Sequence, residues 1–105
     1  MKLTEPAYFV LAALFDGPRH GYDIAAQATE LSGERVKLSA GTLYGVLDRL
    51  SGQGMIELDH EETVNGRLRR YYRITGAGAT AARDEAERMR AAASVVTAQL
   101  KVVGA

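Results

Sequence analysis

From Ala79 to Val103 the apolar residues fall three and four apart without a break: Ala79, Ala82, Ala86, Met89, Ala93, Val96, Leu100 and Val103. That spacing is a heptad seam along one face of an α-helix, held for more than three heptads. Thr75 stands in front of it as an N-cap, so the spacing predicts one helix over about 76–102. Such a helix is on the order of 40 Å long. Residues 1–75 are too few to cover it, and no other segment offers a helical partner. The seam therefore points to a second copy of the chain, with Ala82, Ala86, Met89, Ala93, Val96 and Leu100 as the dimer interface. Its alanines bury little area each, so the half from Met89 onward carries most of the expected contact.

The remaining residues read as three short helices and a hairpin. Thr4 caps a first helix in which Leu3, Ala7, Val10, Leu11 and Leu14 recur at helical spacing. "DGPRHG" interrupts the pattern, because Gly17 and Pro18 are strong breakers. A second helix is expected from about Gly21 to Leu31, with Tyr22, Ile24, Ala25, Ala28 and Leu31 facing inward. "SGERVKLS" connects it, with a short extended piece at 36–38, to a third helix capped by Ser39 and ended by "GQG" at 52–54.

"MIELDHEETV" and "RLRRYYRI" flank Asn65-Gly66 and form the hairpin. A two-residue loop would set Leu58 opposite Arg73, an apolar side chain against a charge. One more loop residue pairs Leu58 with Ile74, His60 with Tyr72, Glu62 with Arg70 and Val64 with Leu68, and this register is favoured on side-chain pattern.

The third helix poses a question. Leu43, Val46, Leu47 and Leu50 form an apolar stripe, while Gly41 and Gly45 fall on the opposite face. A glycine inside a helix costs roughly 0.5–1 kcal/mol relative to alanine. Two of them on an outer face suggest that something approaches the helix backbone closely.

Bulk composition narrows the classes. Formal net charge is zero, with 13 basic and 13 acidic residues, so total charge does not point to nucleic acid. Charge is nevertheless local, since Arg67, Arg69, Arg70 and Arg73 crowd into one strand. There is no cysteine for a disulfide or a thiolate metal site. His20 and His60 lack ligand spacing, so no metal and no cofactor are expected. No nucleophile with its base, carboxylate pair or phosphate-binding glycine loop appears, which argues against an enzyme. "AYFVLAAL" is too short for a membrane span and lacks the flanks of a signal peptide, so a cytoplasmic protein is expected.

Three helices followed by a hairpin is the order of a winged helix-turn-helix, in which the third helix enters the DNA major groove and the hairpin touches the flanking backbone. The expected fold is mostly α with a small β-hairpin: a winged helix-turn-helix DNA-binding domain over 1–75 and a long C-terminal dimerisation helix over 76–105. In that frame Gly41 and Gly45 permit close approach, with Lys37, Ser39, Thr42, Tyr44 and Arg49 around the contact. Tyr22 sits at the second helix's N-terminus, where phosphate oxygens are favoured. Arg67 at the hairpin tip and Arg69 either reach DNA or, with Arg70, pair across the strands with Glu61 and Glu62. Arg73 is expected to pair with Asp59, and Asp48 with Arg49 or a neighbour.

"HGYDI" (20–24), "LSAGTLYGVLDRLSGQGMI" (38–56), "RRYYRIT" (69–75) and "GAGATA" (76–81) closely resemble the PadR-like transcriptional regulators. The likeness covers nearly the whole chain in the right order, and the short length resembles members with a single C-terminal helix. It implies a homodimeric repressor on a pseudo-palindromic double-stranded DNA operator, relieved by a small aromatic or hydrophobic effector near the dimer interface. Tyr8, Phe9 and Met89 are then candidate pocket residues. The competing expectation is a winged-helix protein-interaction module without specific DNA binding.

Overall fold

Three hydroxyl side chains start three of the four helices. The computed structural model describes residues 3–104. Thr4 Oγ1 accepts from the Ala7 N–H at 3.2 Å and opens α1 (Glu5–Ala13), with Pro6 in its first turn. Ser39 Oγ accepts from the Thr42 N–H at 3.3 Å and opens α3 (Ala40–Gly52). Thr75 Oγ1 accepts from the Gly78 N–H at 3.1 Å and opens α4 (Gly76–Val102). The exception is α2 (Gly21–Leu31), whose N-cap His20 makes no side-chain capping bond.

The core gathers Leu3, Val10, Leu11 and Leu14 from the first helix and its flanks, Ile24 from α2, and the whole Leu43–Val46–Leu47–Leu50 stripe of α3. Burying a leucine of this kind is worth about 1.5–3 kcal/mol, so the stripe alone fixes which way α3 faces. On α2 the inward set is narrower than its apolar pattern suggests. Ile24 and Ala28 are buried, but Tyr22 is 70 % and Leu31 52 % exposed. Both lie at ends of the helix, beyond the reach of its packing partners. The connector at 32–39 holds no strand; Val36 is anchored instead by its N–H donating to the buried Ser32 Oγ at 2.9 Å.

The wing is a three-stranded antiparallel sheet in the order β1–β3–β2, formed by Arg19–His20, Arg67–Ile74 and Ile56–Val64. The β1 strand lies in the stretch read as a break. Arg19 pins it there, donating to the Ala13 carbonyl at 2.8 Å and bridging Asp23 at 2.8 Å and Asp16 at 2.9 Å.

The favoured hairpin register is overturned. Asn65 and Gly66 both have positive φ, 51° and 77°, and close a two-residue turn with Val64 opposite Arg67. The mismatch this register would create is corrected further along, by a β-bulge that leaves Asp59 without an opposite partner. Beyond it Leu58 faces Tyr72 and Ile56 faces Ile74. Face parity is restored by an extra residue in the strand rather than in the loop.

The first two turns of α4 belong to the same core. Gly78 and Ala82 are buried there, so Ala82, 5 % exposed, packs on its own chain and drops out of the expected dimer seam. From Ala86 onward the helix stands exposed, including Met89, Val96, Leu100 and Val103 of the seam, and Val95 and Val102 beside it. The chain measures 61 × 26 × 22 Å, and the projecting helix accounts for the long axis.

Candidate nucleic-acid interface

A cleft of about 770 Å³ separates α3 and the start of α2 from the wing. Tyr22, Tyr44, Arg67 and Arg69 of the residues singled out from sequence line it, together with Asp48, Asn65 and Arg70. The uncapped N-terminus of α2 opens at its edge through His20 and Gly21. Unpaired N–H groups and the positive end of the helix dipole favour an anion such as phosphate at that place.

Tyr44 spans two roles. It is half exposed, yet its hydroxyl approaches α2 so closely that a β-carbon on Gly21 would stand 3.3 Å from it. The ring is therefore steered along the cleft wall. Lys37 and Ser39 are exposed just before α3, where Ser39 also donates to Thr42 Oγ1 at 3.0 Å. Gly41 and Gly45 face open space, with nothing within 4 Å of an added β-carbon. Arg49 lies away from the cleft, beside Thr4, Ala7 and Gln53. The candidate residues thus divide between the cleft wall and the outer side of α3, with Arg49 apart from both on the side toward α1.

Ion pairs on the wing sort its arginines. Arg73 bridges Glu57 at 2.7 Å and Asp59 at 3.1 Å, and Arg70 bridges Glu61 at 3.2 Å. Arg67 and Arg69 have no acidic partner among the described residues. The acidic first strand consumes the charge at the base of the wing and leaves it free toward the tip. Asp48 and Arg49 do not pair with each other or with a neighbour, contrary to expectation. Asp48 instead faces the cleft whose far wall carries Arg67, Arg69 and Arg70, without closing an ion pair to any of them.

His20 and His60, forty positions apart in sequence, meet across the sheet on Tyr71. His60 stacks on its ring at 4.3 Å and His20 meets its edge at 5.4 Å. No group of side chains able to hold a metal ion occurs among the described residues. Tyr8 and Phe9 pack edge to face on α1, with ring centroids 5.2 Å apart, and Met89 is exposed on α4.

Residues 10–84 match the transcriptional regulator PadR-like family. The chain belongs to that family. A PadR family transcription regulator from Clostridium difficile has the same fold, with a TM-score of 0.75 at 24% identity over 92% of this chain and 99% of that one. Bacillus subtilis PadR, solved in complex with operator DNA, gives 0.65 at 24% identity, over 74% of this chain and 44% of that one. A transcriptional regulator of Mycobacterium tuberculosis is 44% identical over 52 residues, which make up 50% of this chain and 48% of the relative. The chain spans less than two thirds of the length of the curated relatives it matches. PadR-like proteins are regulators rather than enzymes, and among the described residues no helix is long and apolar enough to cross a membrane.

Proposed function

We propose that this chain is a PadR-like repressor that binds a pseudo-palindromic operator as a homodimer. The carrying observation is the pairing of a glycine-faced α3 with a cleft in which Arg67 and Arg69 have no acidic partner. In this reading α3 lies in the major groove, the tip of the wing follows the flanking phosphates, and Tyr22 and Tyr44 contact the backbone between them. The exposed run from Ala86 to Val103 packs against its counterpart in the second copy, which sets the two α3 helices about 34–36 Å apart on successive major-groove faces. Bacillus subtilis PadR in complex with operator DNA supports the DNA partner. Relief by a small aromatic or hydrophobic ligand fits a pocket that Tyr8, Phe9 and Met89 would complete only once a second copy is in place.

The test is fluorescence anisotropy with labelled DNA from the region upstream of the gene, against scrambled competitor and across a salt series. Binding that survives competitor and weakens steeply with salt is expected, because each phosphate contact releases counterions. Arg67→Ala and Arg69→Ala should each lower the salt slope by about 1. Release of that DNA by aromatic compounds, with the dimer intact, tests the ligand. Absent or salt-independent binding to genomic fragments by a folded dimer would instead favour a protein-interaction module, the reading that zero net charge and the acidic β2 support.

A further inference from the structure

The outermost line of α3 is nearly bare. Gly41, Gly45, Asp48 and Gly52 follow one another at intervals of four, three and four, and at about 100° per residue the line drifts only about 20° from end to end. It runs opposite the buried Leu43–Leu50 stripe, and all four residues are exposed. A β-carbon added at any of the three glycines would meet nothing within 4 Å. The only side chain on this line is therefore the carboxylate of Asp48. It opens into the cleft beside the wing and has no ion-pair partner among the described residues.

A bare acidic group is an odd occupant for a surface that must approach phosphates. Repulsion at long range has to be offset by something at short range. On the DNA-binding reading proposed above, on which this inference rests, the three glycines bring the helix axis close to the floor of the major groove. Asp48 then meets base edges rather than phosphates. An ionised carboxylate only accepts hydrogen bonds. The donors on the major-groove edge are the amino groups of cytosine and adenine. At adenine the amino group lies beside the N7 acceptor, which repels a carboxylate. At cytosine it lies beside a carbon-bound hydrogen, and an acidic side chain is the fitting partner.

We infer that Asp48 is a specificity-determining residue whose carboxylate accepts a hydrogen bond from the cytosine amino group at one position of each operator half-site. The glycines on either side of it in the line set the depth at which that contact forms, and no neighbouring side chain on the line competes for the base.

The experiment is selection from a randomised duplex pool with the full chain, followed by anisotropy on the selected site and its single-base variants, for wild type, Asp48→Ala and Asp48→Asn. Asp48 is exposed on the helix surface, so both variants should keep the wild-type circular dichroism and oligomeric state. Wild type is expected to select cytosine at one half-site position and to lose about tenfold in affinity when that base is changed. Asp48→Ala should abolish the preference there and leave the other positions intact. Asp48→Asn should move it to adenine, whose N6 and N7 match an amide's acceptor and donor. Asp48→Ala binding every duplex more tightly with the base preference unchanged would overturn the inference, since Asp48 would then act only by repulsion. A wild-type preference for adenine at the position sensitive to Asp48 would overturn the assignment to cytosine. Selection of no site by wild type would bring down the DNA-binding reading itself, an outcome distinct from both.

Discussion

Gly78 sits so close beneath Met55 that a β-carbon on it would overlap the Met55 carbonyl oxygen and come within 2.9 Å of Ile74 Cγ1. The same carbonyl accepts the Thr75 N–H at 3.0 Å, so the start of α4 is locked onto the junction between α3 and β2. Backbone has little room to yield. Gly78→Ala should therefore destabilise the chain by at least about 2 kcal/mol through overpacking. Gly76→Ala, two residues earlier and facing open space, should be neutral or slightly stabilising. Urea midpoints followed by circular dichroism, at one fixed protein concentration, compare the two.

Gly45 offers the opposite case. Nothing lies within 4 Å of its missing side chain, and glycine is a poor helix former. Gly45→Gln is expected to raise the melting temperature by a degree or more while weakening operator binding at least tenfold. Thermal scans and anisotropy on the same preparation separate the effects. A fall in melting temperature would mean that the glycine is needed for packing and not for approach.

A pH response is expected in the wing. His60 Nδ1 lies 2.6 Å from Asp59 Oδ2 and Nε2 lies 3.3 Å from Glu62. The bond to Asp59 chiefly raises the His60 pKa above its ordinary 6.5. The bond to His60, followed by that to Arg73, holds Asp59 below its ordinary 3.8. The His60 contribution is thus complete below pH 6.5 and is lost as pH rises through the raised value. The Asp59 contribution is present above 3.8 and is lost as pH falls through the lowered value. His60 is exposed and Asp59 only partly covered, so the gain in stability is small and the resonances are the better readout. Proton NMR of the His60 ring should show its titration midpoint above 6.5, and Asp59→Asn should bring it down.

Val96 occupies the middle of the exposed half of α4 and is 60 % accessible in the single chain. Val96→Glu places a charge where the proposed partner helix would seat, and it touches nothing in its own core. Sedimentation should report a shift toward monomer by about tenfold or more in dissociation constant, with helix content little changed while the chain stays folded. Unaltered association would move the interface to another face of the helix, such as that of Val95 and Val102.

The caps, the apolar stripe of α3 and the span of α4 were legible because each depends on residues adjacent in sequence. A hydroxyl three residues from a free N–H and a leucine every three or four positions leave little choice. What failed depends on distant partners. Tyr22 and Leu31 fit the periodicity of α2, but no element reaches the ends of that helix to cover them. Arg19–His20 has no strand signature of its own and is a strand only because β3 lies alongside. For the proposed interface, the exposure of Gly41 and Gly45 was readable in sequence as an exception to helix preference. The ion pair expected of Asp48 is not formed, because whether a side chain closes such a pair is decided by the folded surroundings and not by its neighbours in sequence.

The bulge at Asp59 also bears on how wings of this kind can change length. Every strand residue gained or lost on one side of the turn exchanges inside for outside, so a wing can grow only in pairs unless a second irregularity absorbs the odd residue. Asp59 is such an absorber. A lineage carrying it can tolerate a single insertion or deletion nearer the tip by dissolving the bulge, with Tyr72 and Ile74 still facing the core. Variation in wing length among relatives is then expected to be steplike, and a one-residue gap should coincide with the loss or gain of the unpaired position near the base.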